Sequence, residues 1–351
     1  MRSTQPPGKS LVLEQFFWPR PGWRGGGVAQ LNSMISGARR VEDILELVTG
    51  GVKLNYIHVA NAMNKLVKAA KRGPGEPAWK LEGNRLTQDP RFAQLIDLVR
   101  AHCPSFGARE GANVLHALGL LHADLGAAAV DEKLAAQLGE FVERKARNMN
   151  PYDVANSLNA LSKLEVAAVA VSTSGWAGRA ETAKRTVSEM NEQDIANTLN
   201  ALCKLEAAAA AVSPPGWASL AEGVERTARK MTPQGVANTL NALCKLEAAA
   251  AAVSLTGWAG LAEAVERTAG QMNEQQVANS LNALCKLEAA AAVVSPTGWA
   301  GLAEAAERTA GEMIPQNVAN TLNALSKLEI LATGAHAISS LASSQVSARI
   351  L

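Results

Sequence analysis

The residues best equipped for chemistry are amides and ammonium groups that return at a fixed step. Asn156, Asn197, Asn238, Asn279 and Asn320 lie 41 residues apart. The same step relates Asn159, Asn200, Asn241, Asn282 and Asn323, and likewise Lys163, Lys204, Lys245, Lys286 and Lys327. Each set sits in a phrase such as VANTLNALCKLE, otherwise rich in alanine and leucine. Asparagine is a mediocre helix former because its amide competes for nearby backbone groups, so two of them in every copy need a reason. An amide carries donors and acceptors together, and an adjacent ammonium adds charge. That set suits an extended polymer exposing base edges and phosphates, such as single-stranded RNA. The same amides could instead bond to one another, or to a neighbouring helix, and fix the stacking.

Other chemistry finds little support. The five histidines (His58, His102, His116, His122 and His336) are scattered, and His102, Cys103, His116 and His122 match no compact zinc spacing. GxxxxGK[ST], GxSxG and HExxH are absent from the sequence. Glu222 and Glu225 recur in other copies, which suits a solvated face better than a unique acid–base pair. The expectation is a non-enzymatic protein with no cofactor, metal or small-molecule substrate. One position varies while its surroundings barely change: Asp153, Asp194, Gly235, Gln276 and Asn317. A polar residue changing once per copy has the form of a base-reading code, but a helix's third residue is also a capping position.

The elements that must position these groups follow from the repeat. Trp176, Trp217, Trp258 and Trp299 keep the 41-residue step, as do Met149, Met190, Met231, Met272 and Met313. Each unit reads as two helices. The first opens at Asn191, Thr232 or Asn273 and runs through VANTLNALCKLEAAAAAV; the second opens at SPPGW or SPTGW, with Ser213 or Ser295 as cap. On a helical wheel Val236, Leu240 and Leu243 define a buried side, and Gln234, Asn238, Asn241 and Lys245 lie opposite. On the second helix Trp217, Leu220, Ala221, Val224, Ala228 and Met231 form an apolar stripe, leaving Glu222, Glu225, Arg226 and Arg229 as solvated surface. A helix pair of this size cannot bury its apolar face alone, so neighbours must stack.

The fold class expected is therefore all-α, an α-solenoid of the right-handed-superhelix type with about seven two-helix repeats. Residues 1–27 read as a disordered leader or transit peptide, 28–149 as diverged repeats and 150–334 as the regular repeats, with 335–351 a capping helix or tail. LNYIHVANAMNKLVKAA and FGAREGANVLHALGLL supply two drifted copies. In the first, Asn61, Asn64 and Lys68 keep the polar pattern; in the second, Asn113 and His116 do, but Leu120 stands where Lys is expected. Net charge is +6 over residues 1–149 and −4 over 150–351, so attraction for phosphate should come mainly from the early region, including Lys65, Lys68, Lys71 and Arg72. Cys203, Cys244 and Cys285 occupy one repeat position, filled by Ser162 and Ser326 in flanking copies. A place that accepts Cys or Ser wants a small side chain rather than a bridge, and a reducing compartment fits. No run of eighteen strongly apolar residues predicts a membrane span.

The string QxVANTLNALCKLE, the preceding MN or MT, and the upstream DPRFAQLIDLVRAHCPSFGAREGANVLHALGLL together carry a family likeness. They resemble the octotricopeptide-type and RAP-domain (FAST-kinase-like) helical-repeat proteins over roughly residues 30–330. The resemblance implies RNA binding in a mitochondrion or plastid, in transcript processing, stability or translation. It departs where such proteins often carry Trp in the ANTLWAL core, a place taken here by Asn200, Asn241 and Asn282. The closing ISSLASSQVSARIL does not read as their RAP domain. A fainter likeness, through the ANxLNALSK-like phrase, is to long helical-repeat effectors of plant-pathogenic bacteria. It keeps open a protein-interaction scaffold that holds an extended peptide through the same amides.

Overall fold

The structure, a computed structural model, describes residues 28–71, 85–125 and 130–332. The expectations for 1–27 and 335–351, and the contribution of Arg72, lie outside the described residues. Among those residues the architecture is all-helical repeat, without strands. One row of stacked helices runs Val28–Gly37, Tyr56–Ala70, Ala108–Leu125, Pro151–Leu161, Glu192–Leu202, Pro233–Leu243, Glu274–Leu284 and Pro315–Ala332, each packed on the next. A second row, behind it, contains Glu132–Lys145, Thr173–Thr186, Pro214–Thr227, Leu255–Thr268 and Pro296–Thr309.

The core lies between the rows. Val236, Leu240 and Leu243 are buried, as the wheel requires, and so are Trp176, Trp217, Trp258 and Trp299. Each Met of the repeat closes a 3-10 turn and is buried at 190, 231 and 272; its sulfur accepts a hydroxyl hydrogen bond from the core-facing side, as between Thr239 Oγ1 and Met231 Sδ at 3.5 Å. The helix starts follow the capping residues. The side chains of Asn150, Asn191, Thr232 and Asn273 accept first-turn N–H groups, as do those of Ser172, Ser254 and Ser295. Ser213 holds the same place without a side-chain bond, with Pro214 following it.

Two expectations need correction. The first helix does not continue through the alanines: it ends at Leu202, Leu243 and Leu284, and a separate short helix follows at Glu206–Ala210, Glu247–Ala252 and Glu288–Ala291. Leu205, Leu246 and Leu287 adopt non-helical backbone at the break, with ψ near 80°. The short helix turns back to pack on the outer helix of the preceding unit, burying Ala208, Ala249 and Ala290. A third helix, absent from the two-helix reading, thus completes the regular unit.

Nor are the ERT residues merely solvated. Arg226 Nη2 donates to the carbonyls of Val187 and Met190 at 2.7 and 2.8 Å, Arg267 to Met231 at 2.6 Å, and Arg308 to Met272 at 2.8 Å. Each guanidinium thereby satisfies the frayed end of the previous unit's outer helix. The Glu just before it reaches forward: Glu225 accepts from Ser254, and Glu266 from Ser295 and Thr297. Glu222 does remain exposed, and Arg229 pairs with Glu263 across the surface at 2.6 Å.

One core position breaks the pattern. Arg179 stands where the other units have Leu220, Leu261 and Leu302, and it is 1% exposed. Its Nη1 donates to Ser157, while Nε and Nη2 have no partner. Burial lowers its pKa to about 9, so the cation persists at neutral pH. Replacing a buried ion by a well-packed apolar residue commonly stabilises by about 1–4 kcal/mol. Arg179→Leu should accordingly raise the thermal unfolding midpoint, whereas Arg267→Ala should lower it by breaking a joint between units; calorimetry of the two variants checks both signs.

Candidate functional site

The polar faces of the stacked first helices form an open groove of about 660 Å³. The first amide row contributes Asn197, Asn238, Asn279 and Asn320, the second Asn159, Asn200, Asn241 and Asn282, and the lysine row Lys163, Lys204 and Lys245. Lys286 and Lys327 are exposed further along the same lysine row, and so is Asn323 in the second amide row. Asn156 departs from its row: it is 6% exposed, with its amide nitrogen unpaired. Gln234 lies on this face as the wheel requires, Gln276 of the variable position reaches it too, and Asn273, Gln275 and Gln316, which the polar stripe read from sequence did not include, also line the groove. The signal was present, because the Gln of QxVAN lies one helical turn before the first Asn.

The amides are not consumed by the stacking. Asn197, Asn200, Asn238, Asn241, Asn279 and Asn282 are each half-buried, and among the described residues their side chains have no hydrogen-bond partner. The bonds that do reach Asn200, Asn241 and Asn282 use backbone carbonyls, which accept from the thiols of Cys203, Cys244 and Cys285 at 3.2, 3.4 and 3.1 Å. Ser162 and Ser326 make the same bond to Asn159 and Asn323. That shared contact explains why this position takes Cys or Ser. The thiols are free, and burial pushes them above their ordinary pKa, which leaves them weak nucleophiles.

No carboxylate and no aromatic ring appears among the side chains lining the groove. Its lysines are the charged side chains of the lining, which is thus positive although the regular repeats are weakly acidic overall. The carboxylates sit elsewhere. Asp194 accepts the backbone N–H of Asn191, and Gln276 that of Asn273, each closing a capping box. The position that varies from copy to copy thus caps through Asp194 and Gln276, and Asp153, Asp194 and Asn317 are buried there; Gln276 alone among them also reaches the groove.

At its early end the groove changes character. Asn61 Nδ2 donates to Asn32 Oδ1 at 2.7 Å and to Ser36 Oγ at 2.9 Å, so its amide serves the stack. His116 lies where the second amide row would continue, and its pKa is held down to about 4, first by burial and then by the ammonium groups of Lys163, Lys71 and Lys68. These groups converge from three adjacent first helices or their ends. Among the described residues no three His, Cys, Asp or Glu side chains gather as a metal site, and His102, Cys103, His116 and His122 do not form one. No described helix is long and apolar enough to cross a membrane.

Four stretches, 166–199, 218–240, 260–281 and 302–322, match a family described as "Protein of unknown function (DUF1601)". Each match spans an outer helix and the first helix of the next unit, and successive ends fall at Leu199, Leu240, Leu281 and Leu322, the leucine of the ANTL or ANSL phrase. No curated protein matches the chain.

The His116 environment has a measurable consequence. An unfolded imidazole takes a proton near its ordinary value of 6.5, while the folded one resists until about pH 4. Acidification through that interval should therefore destabilise the fold, since the unfolded state binds the extra proton. The His116 ring resonances should stay in their neutral form at pH 5 in an NMR titration. His116→Asn, the residue of the regular copies, should flatten the fall in stability between these pH values.

Proposed function

We propose that this chain is a right-handed α-solenoid of about seven units that binds single-stranded RNA along its amide groove and carries out no catalysis itself. The observation that carries the reading is a groove lined by amides and lysines with no carboxylate among them, in which the side chains of Asn197, Asn200, Asn238, Asn241, Asn279 and Asn282 are unbonded among the described residues. The lysines supply a sequence-independent attraction for phosphates, and the amides face the bases. Lys68, Lys71 and Lys163 around His116 extend the positive field at the early end. The likeness to octotricopeptide-type and RAP-domain proteins, together with the arginine-containing, acid-poor first 27 residues, supports action in a mitochondrion or plastid. RNA processing, stability or translation is the corresponding role.

One observation favours a second reading. Proteins that hold single strands commonly stack bases on aromatic side chains, and this groove offers none. An acidic extended peptide, bound through its backbone by the same amides, would need no such platform.

A salt titration of binding to a pool of single-stranded RNA, followed by fluorescence anisotropy, separates the two. RNA binding should weaken steeply with salt. Changing Lys204, Lys245 and Lys286 together to Ala should reduce the log–log slope by about 2, at roughly 0.7 per phosphate contact. Absence of RNA binding even at low salt would put the peptide scaffold in its place.

A further inference from the structure

The units of the groove are chemically the same. Gln193, Asn197, Asn200 and Lys204 are followed by Gln234, Asn238, Asn241 and Lys245, then by Gln275, Asn279, Asn282 and Lys286, and again by Gln316, Asn320, Asn323 and Lys327. Where these four copies differ between Gln and Lys, the differing side chain turns away from the groove in nearly every case. Ile195, Val236 and Val277 are in the core. Thr198, Thr239, Ser280 and Thr321 are fully buried behind the amides. Cys203, Cys244, Cys285 and Ser326 are tied to a backbone carbonyl. The remaining variable place is the capping position, of which Gln276 alone lines the groove.

A ligand lying along such a surface meets the same donors and acceptors at each step. Discriminating one base from another needs a change of side chain between steps, and over these four copies the lining changes only at Gln276 and at Asn273, whose place is held by Asn191, Thr232 and Ile314 elsewhere. Resting on the RNA reading above, we propose that the groove selects a run of like nucleotides, adenine in preference, and does not read a mixed sequence. On the Hoogsteen edge, adenine is the base that sets a donor beside an acceptor in the arrangement a carboxamide complements: N6–H donates to the amide oxygen, and N7 accepts from the amide N–H. Single-stranded bases are splayed out, so that edge is free to meet a side chain. Two amides per unit give each nucleotide a choice of partner, and the lysine row follows the phosphates.

The test compares binding of adenine, uracil and cytosine homopolymers of about fifteen nucleotides with a mixed sequence of equal length, at one salt concentration. The adenine run should bind tighter than each of the others by about tenfold or more, the scale of one well-formed amide–adenine pair. Asn200, Asn241 and Asn282 changed together to Ala should bring the adenine run down to the uracil level while leaving the salt slope in place. Circular dichroism of that variant establishes that its helices persist, and single substitutions at Asn241 serve if the triple variant unfolds. Equal affinity for all four strands, or tighter binding of the mixed one, would overturn the proposal and leave RNA binding standing. Adenine preference that survives the Asn substitutions would overturn it as well. Failure of every strand to bind would remove the RNA reading itself.

Discussion

A helix of eleven residues with one apolar face has no stable existence by itself, and the whole architecture follows from where that face goes. Leu240 is buried because the helices before and after its own stack alongside and the outer row closes the layer behind. Apolar burial is non-directional, however, and the register that side-chain shape sets is reinforced by polar joints. Arg267 grips the carbonyl end of the preceding outer helix, while Glu266 holds the cap of the following one, so one dipeptide ties three units together. Hydrogen bonds with a charged partner are among the stronger ones, and these recur at each regular step.

Because packing and joints reside in the core and the outer row, the opposite face of the first helices carries no structural duty. The break after Leu243 contributes to this separation. It turns the alanines back toward the preceding outer helix and leaves Lys245 at the rim of the groove instead of inside a longer helix. Cys244 bonds the backbone carbonyl of Asn241, and the Asn241 side-chain amide has no partner among the described residues. A surface repeated without change, freed from holding the protein together, is consistent with a ligand that repeats too.

Toward the early end of the stack, in the drifted copies and the first regular one, the division of labour blurs. Asn61 spends its amide on Asn32 and Ser36, Asn156 is nearly covered, and Arg179 puts a cation where leucine belongs. His116 interrupts the amide row among three lysines. Drifted copies no longer share one geometry, so each side chain answers to its own neighbours. The positive end of the groove arises there, where repetition is weakest.

Much of this was legible from the chain. The 41-residue step, the caps at Asn191 and Ser295, the buried side at Val236 and Leu240, and the facing stripe of Gln234, Asn238, Asn241 and Lys245 all depend on contacts within a turn or two of helix. Short-range geometry is nearly the same in every protein, so periodicity suffices to read it. Tertiary structure alone decided that Arg226 and Glu225 are joints instead of solvated charges, that the alanines form their own helix, and that Asn61 is engaged while Asn241 is open. Most of those outcomes hang on partners some 25 to 40 residues away, whose approach is set by the rise and rotation between units. Stacking fixes that rise and rotation through the combined shape of many side chains, and no single stretch of sequence contains it.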